Sequence, residues 1–554
     1  MRKTLLLLTL AAVTGCSSAD RTTPAMLNQP AARTTVQAPP AERLSNLHHP
    51  VSTKSAQAQG HFDDGLTYTY AFNHDEAVRS FEKALAADPK MAMAHWGIAL
   101  ALGPNYNLDV DAERNRKAYQ HIQQARELAK NGPQVEKDYI ETLAERFTAL
   151  DTGDLKQHAR DYADDARGLM RKYPDDLDAA TLAAESMMTL KPWALYTKDY
   201  KPVEGTEEIV AILESVLKRD PDHIGANHLY IHAVEASTTP QRALEASARL
   251  PVLAPEMGHL VHMPSHIYAR VGDHESACTS NEAAVAIDRE YFKKHPEGKG
   301  GFYEMMYYPH NIHFCAYANA WQGNYADAKK WADELYAHAA PHVPHMGMME
   351  AFTVVRIGTD IKFRKWDAIL ASQSPDQKTM PLTTAMWHFG RGLAFAQRGD
   401  VPQARSERDK MLAIKSSLPK DHMWGMLNKA DHVLSIANRT IDAKIAAKEN
   451  KIDDAEKLLN EAVALEDDLT YMEPPDWLNP SRETLGNLLL AAGKLDKAEQ
   501  VYRADLERMP RNGPSLFGLM TTLKKQGRDY EAGIIERQFN AAWKNADTKL
   551  SIIN

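Results

Sequence analysis

The feature that most constrains this chain is a spacing that returns. Between residues 58 and 91 stand Gly65, Tyr68, Ala77, Phe81, Ala84 and Pro89. A second stretch, beginning at Asn479, carries Leu485, Gly486, Ala498, Tyr502 and Pro510, and a third near Gly513 carries Leu516, Leu519, Leu523 and Ala532. Small residues at such offsets let two helices approach closely. Aromatics fill the gap beside them, and a proline ends the second helix. Weaker units are punctuated by Ala243, Ala277, Ala328, Ala404 and Ala455, and Glu207 to Pro221 reads as a second helix with its stop. No alternating apolar and polar run of useful length is present. The expected fold is therefore all-α, a solenoid in which each helical hairpin buries its apolar face on its neighbours.

The offsets resemble those of the tetratricopeptide repeat, a unit of about 34 residues. On that register Gly65, Tyr68, Ala77, Phe81, Ala84 and Pro89 take positions 8, 11, 20, 24, 27 and 32. The resemblance implies a right-handed helical solenoid over residues 58–545, with the better-matching units near 58–91, 224–340 and 479–545. It also implies that the first helix of each hairpin faces the concave side, which puts Trp96, His228, His262 and Glu483 there. Gly103 to Asn107, Lys191 to Gly205, Lys293 to Gly301 and Ala340 to His345 interrupt the pattern as inserted loops, and Tyr471 to Trp477 is a stiff connector. The phrases His95-Trp96-Gly97-Ile98-Ala99-Leu100-Ala101-Leu102-Gly103-Pro104-Asn105 and Glu473-Pro474-Pro475-Asp476-Trp477 resemble those of bacterial tetratricopeptide-repeat lipoproteins with histidine-rich groove motifs.

The N-terminus reads as an address. Met1-Arg2-Lys3 precedes an apolar run from Leu5 to Val13, followed by Thr14-Gly15-Cys16. The run is too short to span a bilayer and has the layout of a secretory signal peptide over residues 1–15. Val13-Thr14-Gly15-Cys16 resembles a lipobox, which implies cleavage before Cys16, lipidation of its thiol and a lipid anchor in a membrane. Ser17 and Ser18 imply, by resemblance to lipoprotein sorting, the outer membrane facing the periplasm. Residues 16–57 are rich in Ala, Thr, Pro, Gln and Ser and read as a flexible tether, with His48, His49 and His61 solvated at its end. A net charge of -9 without a basic stripe argues against nucleic acid, and the lack of a glycine-rich phosphate loop argues against a nucleotide cofactor. Cys278 and Cys315 read as buried free thiols, so packing and not cross-linking holds the fold.

Three phrases carry the candidate chemistry: Asn227 to His232, His259 to His266 and Pro309 to His313. With Ala243, Ala277 and Ala328 set at position 20, His228, His262 and His313 share position 5. His232 and His266 share position 9, and His259 and His310 share position 2. In proteins that this repeat resembles, such positions line the concave groove. Spacings of three and four place them on one helical face. Neighbouring helices pack about 8–10 Å apart, so imidazoles from two of them can share an ion. The expected metal ligands are His228, His232, His262, His266, His310 and His313, with Glu185, Glu235 and His259 as further groove residues. Imidazole suits Cu, Zn or Fe, and one such transition-metal ion is the expected cofactor.

Three functions fit this pattern. One is a membrane-anchored solenoid that binds a ligand or envelope protein in its groove through a metal site. The second is a metalloenzyme, an oxidoreductase or hydrolase dependent on Cu, Fe or Zn at the same cluster. The third is a scaffold for envelope proteins, with histidines that face water or grip peptides. Elsewhere, His342 and His345 read as turn residues, and Glu473 and Asp476 as turn acids held apart by prolines. Asn105 and Tyr106 lie within reach of the groove, and the methionines read as packing.

Overall fold

The computed structural model describes residues 43–148 and 154–551. The stretch read as a signal peptide, Cys16 and the first part of the stretch read as a tether lie outside the described residues. The described chain is helical, with three isolated β-bridges and no strand. It opens with the hairpin Ala56–Tyr70 and His74–Ala87 and closes with Gly513–Lys525 and Asp529–Ala542. Between them the same unit recurs, for twelve hairpins among the described residues. In one, the first helix is broken into Gly258–His262 and Pro264–Arg270.

The recurrent residues explain the stacking. Phe81, on the second helix of its hairpin, lies between Gly65 and Gly97 on two successive first helices. A Cβ at either glycine would sit 2.6 or 2.5 Å from the Phe81 ring. Tyr502 is wedged in the same way between Gly486 and Gly518, where a Cβ would come within 2.5 and 2.2 Å. The ring fills a notch made by two absent side chains, so it aligns three helices at once. Ala77, Ala243, Ala277, Ala328, Ala404, Ala455, Ala498 and Ala532 form the matching column of small residues, all at 0% exposure. Side-chain caps start many of the helices: Ser55 accepts from Ala58 N–H, Asn73 from Glu76 N–H and Asn324 from Asp327 N–H. The inserted loops fall where the pattern breaks, and residues 470–480 form a helix-free connector.

The solenoid curls until distant hairpins meet. Ala56–Tyr70 packs on Ile224–Glu235, where Gly225 leaves room for the Tyr70 ring, and Tyr291 donates to Glu76 at 2.6 Å. At the other end Lys544 pairs with Glu275 at 2.6 Å, Asn545 donates to Gln322 at 2.9 Å, and Gly323 receives the Trp543 ring. These contacts close the concave side, and the inserted loops fill it. The expected open groove is narrowed to a cavity, and of the histidines read as lining it His228, His232, His259, His262 and His266 are buried while His310 and His313 are half-buried. The stretch read as a tether is also held from residue 43 onward. Ser45 is buried against Thr67, His48 pairs with Asp63 at 2.9 Å, and His49 pairs with Asp178 at 2.8 Å. Among the described residues no helix is long and apolar enough to cross a membrane.

Candidate metal centre

Three first helices build the centre. Ile224–Glu235 is buried on every side, as an apolar sequence without an amphipathic stripe requires, and it carries His228, His232 and Glu235 inward. Gly258–His262 begins at a glycine because its backbone presses on the Asp288 carboxylate: a Cβ there would lie 1.9 Å from Oδ1. Pro264 starts a new helix, so His266 follows His259 and His262 across a break at Met263. Tyr308–Trp321 follows a π-helical turn at Tyr303–Tyr307, and brings in His310 and His313.

The six rings of His228, His232, His259, His262, His266 and His310 form a continuous patch. Ring centroids are 5.0 Å apart for His228–His232 and His228–His259, 5.6 Å for His232–His266 and His259–His262, and 4.8 Å for His262–His266 and His262–His310. Five of the six are at most 1% exposed, and His310 is half-buried. One nitrogen from each of His228, His232 and His259 lies within 4.8 Å of the other two, and the same holds for His262, His266 and His310.

For four of the rings a partner on the far side sets the tautomer. His228 donates from Nδ1 to the Tyr70 carbonyl at 2.6 Å, and His232 from Nδ1 to Glu235 Oε1 at 2.8 Å. His262 donates from Nδ1 to Asn281 Oδ1 at 2.6 Å, and Asn281 is oriented by its own bond to the Ala277 carbonyl. His266 Nδ1 lies 2.6 Å from Glu235 Oε2 and 3.4 Å from Glu473 Oε2. With Nδ1 carrying the proton, each neutral ring turns a bare Nε2 lone pair inward. The Nε2 atoms of His262 and His266 face each other at 2.9 Å, a contact that a proton on His266 Nε2 makes a hydrogen bond to His262. The Nε2 atoms of His228 and His232, and both ring nitrogens of His259, are buried with no hydrogen-bond partner.

Burial, reinforced by neighbouring rings, holds His228, His259, His262 and His310 well below the ordinary imidazole range. His266 behaves oppositely: burial lowers it, but Glu235 and Glu473 outweigh that and raise it to about 9. Burial raises Glu235, and His266 and His232 more than reverse it, to about 2. The set is thus four neutral imidazoles with lowered basicity, beside a carboxylate whose charge His266 and His232 stabilise. Neutral imidazoles are the form that could hold a borderline transition metal.

A cavity of about 1190 Å³, counted to its open mouth, adjoins the cluster. His259, His266 and His310 reach its wall, as do Glu473 and Asp476. Burial pushes Asp476 up to about 6 and raises Glu473 as well, with His266 countering it there.

Of the expected ligands, five converge. His313 shares a repeat position with His228 and His262, yet it points into the cavity beside Phe352, 6.1 Å between ring centroids, and His310 takes its place. The π-helical turn before Tyr308–Trp321 gives this helix an entry that the other two lack. His259, read as a further residue, belongs to the inner set. Glu235 touches one histidine of each set, His232 and His266, and Glu185 lies apart, 3.7 Å from Arg146. Glu473, read as a turn acid, reaches His266 from the connector. Its partner in space is more than 200 residues earlier in sequence, and no local spacing signals it. Tyr106 does reach the cluster, 5.2 Å from His232.

Comparison with known proteins supports the repeat. A family model described as a tetratricopeptide repeat matches residues 62–102. An uncharacterized protein of Aquifex aeolicus is 36% identical over 64 residues, which span 11% of this chain and 8% of that protein's length. Among solved structures, the human IFIT1 dimer with PPP-AAAA is 14% identical, with 86% of this chain and 90% of that chain covered and a TM-score of 0.32. Yeast Tom70 is 11% identical, with 87% and 96% covered and a TM-score of 0.33. The repeat match over residues 62–102, the aromatic rings set in paired glycine notches and the stacked hairpins together describe an α-solenoid of tetratricopeptide-like hairpins.

Proposed function

We propose that the buried histidines hold a transition-metal ion and that the solenoid is a casing for it, with ligand taken up in the adjoining cavity. The observation that carries this reading is the set of unpartnered nitrogens on His228, His232 and His259. A buried imidazole nitrogen without a partner loses its hydration for nothing in return. Several of them close together, with His228 held from behind by the Tyr70 carbonyl and His232 by the Glu235 carboxylate, resemble the arrangement that metal-bound histidines show. Three imidazoles without a carboxylate suit Cu or Zn, and leave a coordination position for water or ligand.

Repeat solenoids commonly present concave surfaces to partner proteins. Here that surface is closed, so a protein partner belongs on the outside, and the interior is left for an ion and a small molecule. Asp476 at the cavity wall favours an enzymatic use of the ion, because a carboxyl that burial pushes up to about 6 can exchange protons near neutral pH.

The test is metal analysis of protein purified without a histidine tag. Wild type should take up Cu or Zn, and the double variant His228→Ala with His262→Ala should not. Equal, negligible uptake by both would remove the metal reading and leave the scaffold in its place. The address is proposed separately, from Val13-Thr14-Gly15-Cys16: an acylated Cys16 tethers the protein to the cell envelope. Cys16→Ser should leave it unprocessed or released, and unchanged membrane attachment would refute the anchor.

A further inference from the structure

Resting on the metal reading above, we propose that the cluster is a two-ion centre: an enclosed inner ion held by His228, His232 and His259, and an outer ion held by His262, His266 and His310 that opens on the cavity.

The nitrogens gather as two sets of three and not as one set of six. Metal–nitrogen bonds of about 2.0–2.1 Å limit two ligands of one ion to a separation of about 4.2 Å, so a single ion cannot serve the whole patch. The sets share no member, yet they touch: His232 stacks edge-on against His266, and His259 lies beside His262, each pair with centroids 5.6 Å apart.

Glu235 ties them together. Its Oε1 accepts from His232 Nδ1 at 2.8 Å, and its Oε2 lies 2.6 Å from His266 Nδ1. One buried carboxylate therefore orients a ligand of each ion and offsets part of the charge that two cations bring. A device that serves two sets has no purpose if one set is vacant.

The two sites differ in access. Phe72 covers the inner one, with its ring 4.4 Å from His228, 5.9 Å from His232 and 5.7 Å from His259. Of the inner set only His259 reaches the cavity, whereas two of the outer set, His266 and His310, do. The outer ion therefore keeps the open position. The wall facing it is built from Trp193, Phe302, Met306, Phe352 and Trp424, with Glu473 as its acid. That lining selects a small, largely apolar molecule with a single lone-pair donor, such as a phenol or thioether, over a sugar or a peptide.

Copper loading of the untagged full chain, followed by removal of excess ion, tests this. Wild type should hold two equivalents, and His228→Ala and His310→Ala one each. Azide should change the visible spectrum of wild type and of His228→Ala, which keeps the outer ion, and not that of His310→Ala. If wild type binds none, the metal reading and this inference fall together. If it binds one, with any pattern among the variants, the two-ion centre is wrong and the metal reading stands. Should either variant fail to fold, judged by circular dichroism, wild type alone decides. Two Cu(II) ions this close give dipolar splitting in the electron paramagnetic spectrum, and a spectrum of isolated Cu(II) at two equivalents overturns the proposal.

Discussion

Asp288→Asn should make the protein more stable at pH 7 and leave it little changed near pH 4. Asp288 is 1% exposed, accepts from Tyr303 Oη at 2.9 Å and from Asn311 Nδ2 at 2.8 Å, and has no cation beside it. Burial outweighs those two bonds and raises its carboxyl to about 7. An unfolded Asp titrates near pH 3.9. Between the two values the folded chain binds a proton that the unfolded chain does not, so stability falls as pH rises. The slope is about 1.4 kcal/mol per pH unit, and the loss levels off above pH 7 at about 4 kcal/mol. An asparagine never pays this cost and fits the site. Its Oδ1 accepts from Tyr303, and Asn311, whose own Oδ1 has no partner, turns its amide to accept from the new Nδ2. Urea midpoints for wild type and variant at pH 5.5, 6.5 and 7.5 measure the difference, which should widen by about 2 kcal/mol across that range. Parallel curves would mean that Asp288 is ionised in the fold at pH 5.5, and would refute the reasoning.

Three further outcomes follow from named contacts. Gly258→Ala drives a Cβ into the Asp288 carboxylate, so it should displace His259 and His262 and reduce metal uptake while circular dichroism stays near wild type; unchanged uptake refutes it. Phe81→Ala removes the wedge between Gly65 and Gly97 and should cost about 3–5 kcal/mol in denaturant melts; a loss under about 1 kcal/mol shows that the notch collapses freely. Asp178, held far below the carboxylate range by His223 and His49 against the cost of burial, also accepts from Tyr70 at 2.5 Å. Its stabilisation is complete above about pH 4 and declines by about 1.4 kcal/mol per pH unit as pH falls from there toward the far lower folded value, so Asp178→Asn should destabilise at pH 7 by about 3 kcal/mol and by about 1 kcal/mol less at pH 3; a pH-independent penalty contradicts the pairing.

The hairpins were legible because their signals are local. Gly65, Phe81 and Ala77 act within one unit and its neighbour, and so does each alanine of the small-residue column. The histidine columns were legible for the same reason: His232 and His266, equal repeat positions, have ring centroids 5.6 Å apart, while His228 lies against His259, a different position. Departures come from what a repeat register does not carry. His313 and His310 exchange roles because a π-helical turn precedes their helix. Glu473 joins from a connector outside the register. The closed interior depends on how curvature accumulates over many hairpins until Trp543 meets Gly323, and no single unit encodes that.

The clasps at Gly225 and Gly323 change the kinetics of the whole array. An open solenoid frays from its ends, each terminal hairpin leaving at the cost of a single interface. A coil whose first hairpin is locked to its fifth and whose last is locked to its sixth and seventh has no free end to fray. Whatever lies behind Phe72 can leave only when such a lock parts. Release from the inner site should then run at the rate of that opening, the same at low and at high chelator concentration, so that the protein and not the chelator keeps the time.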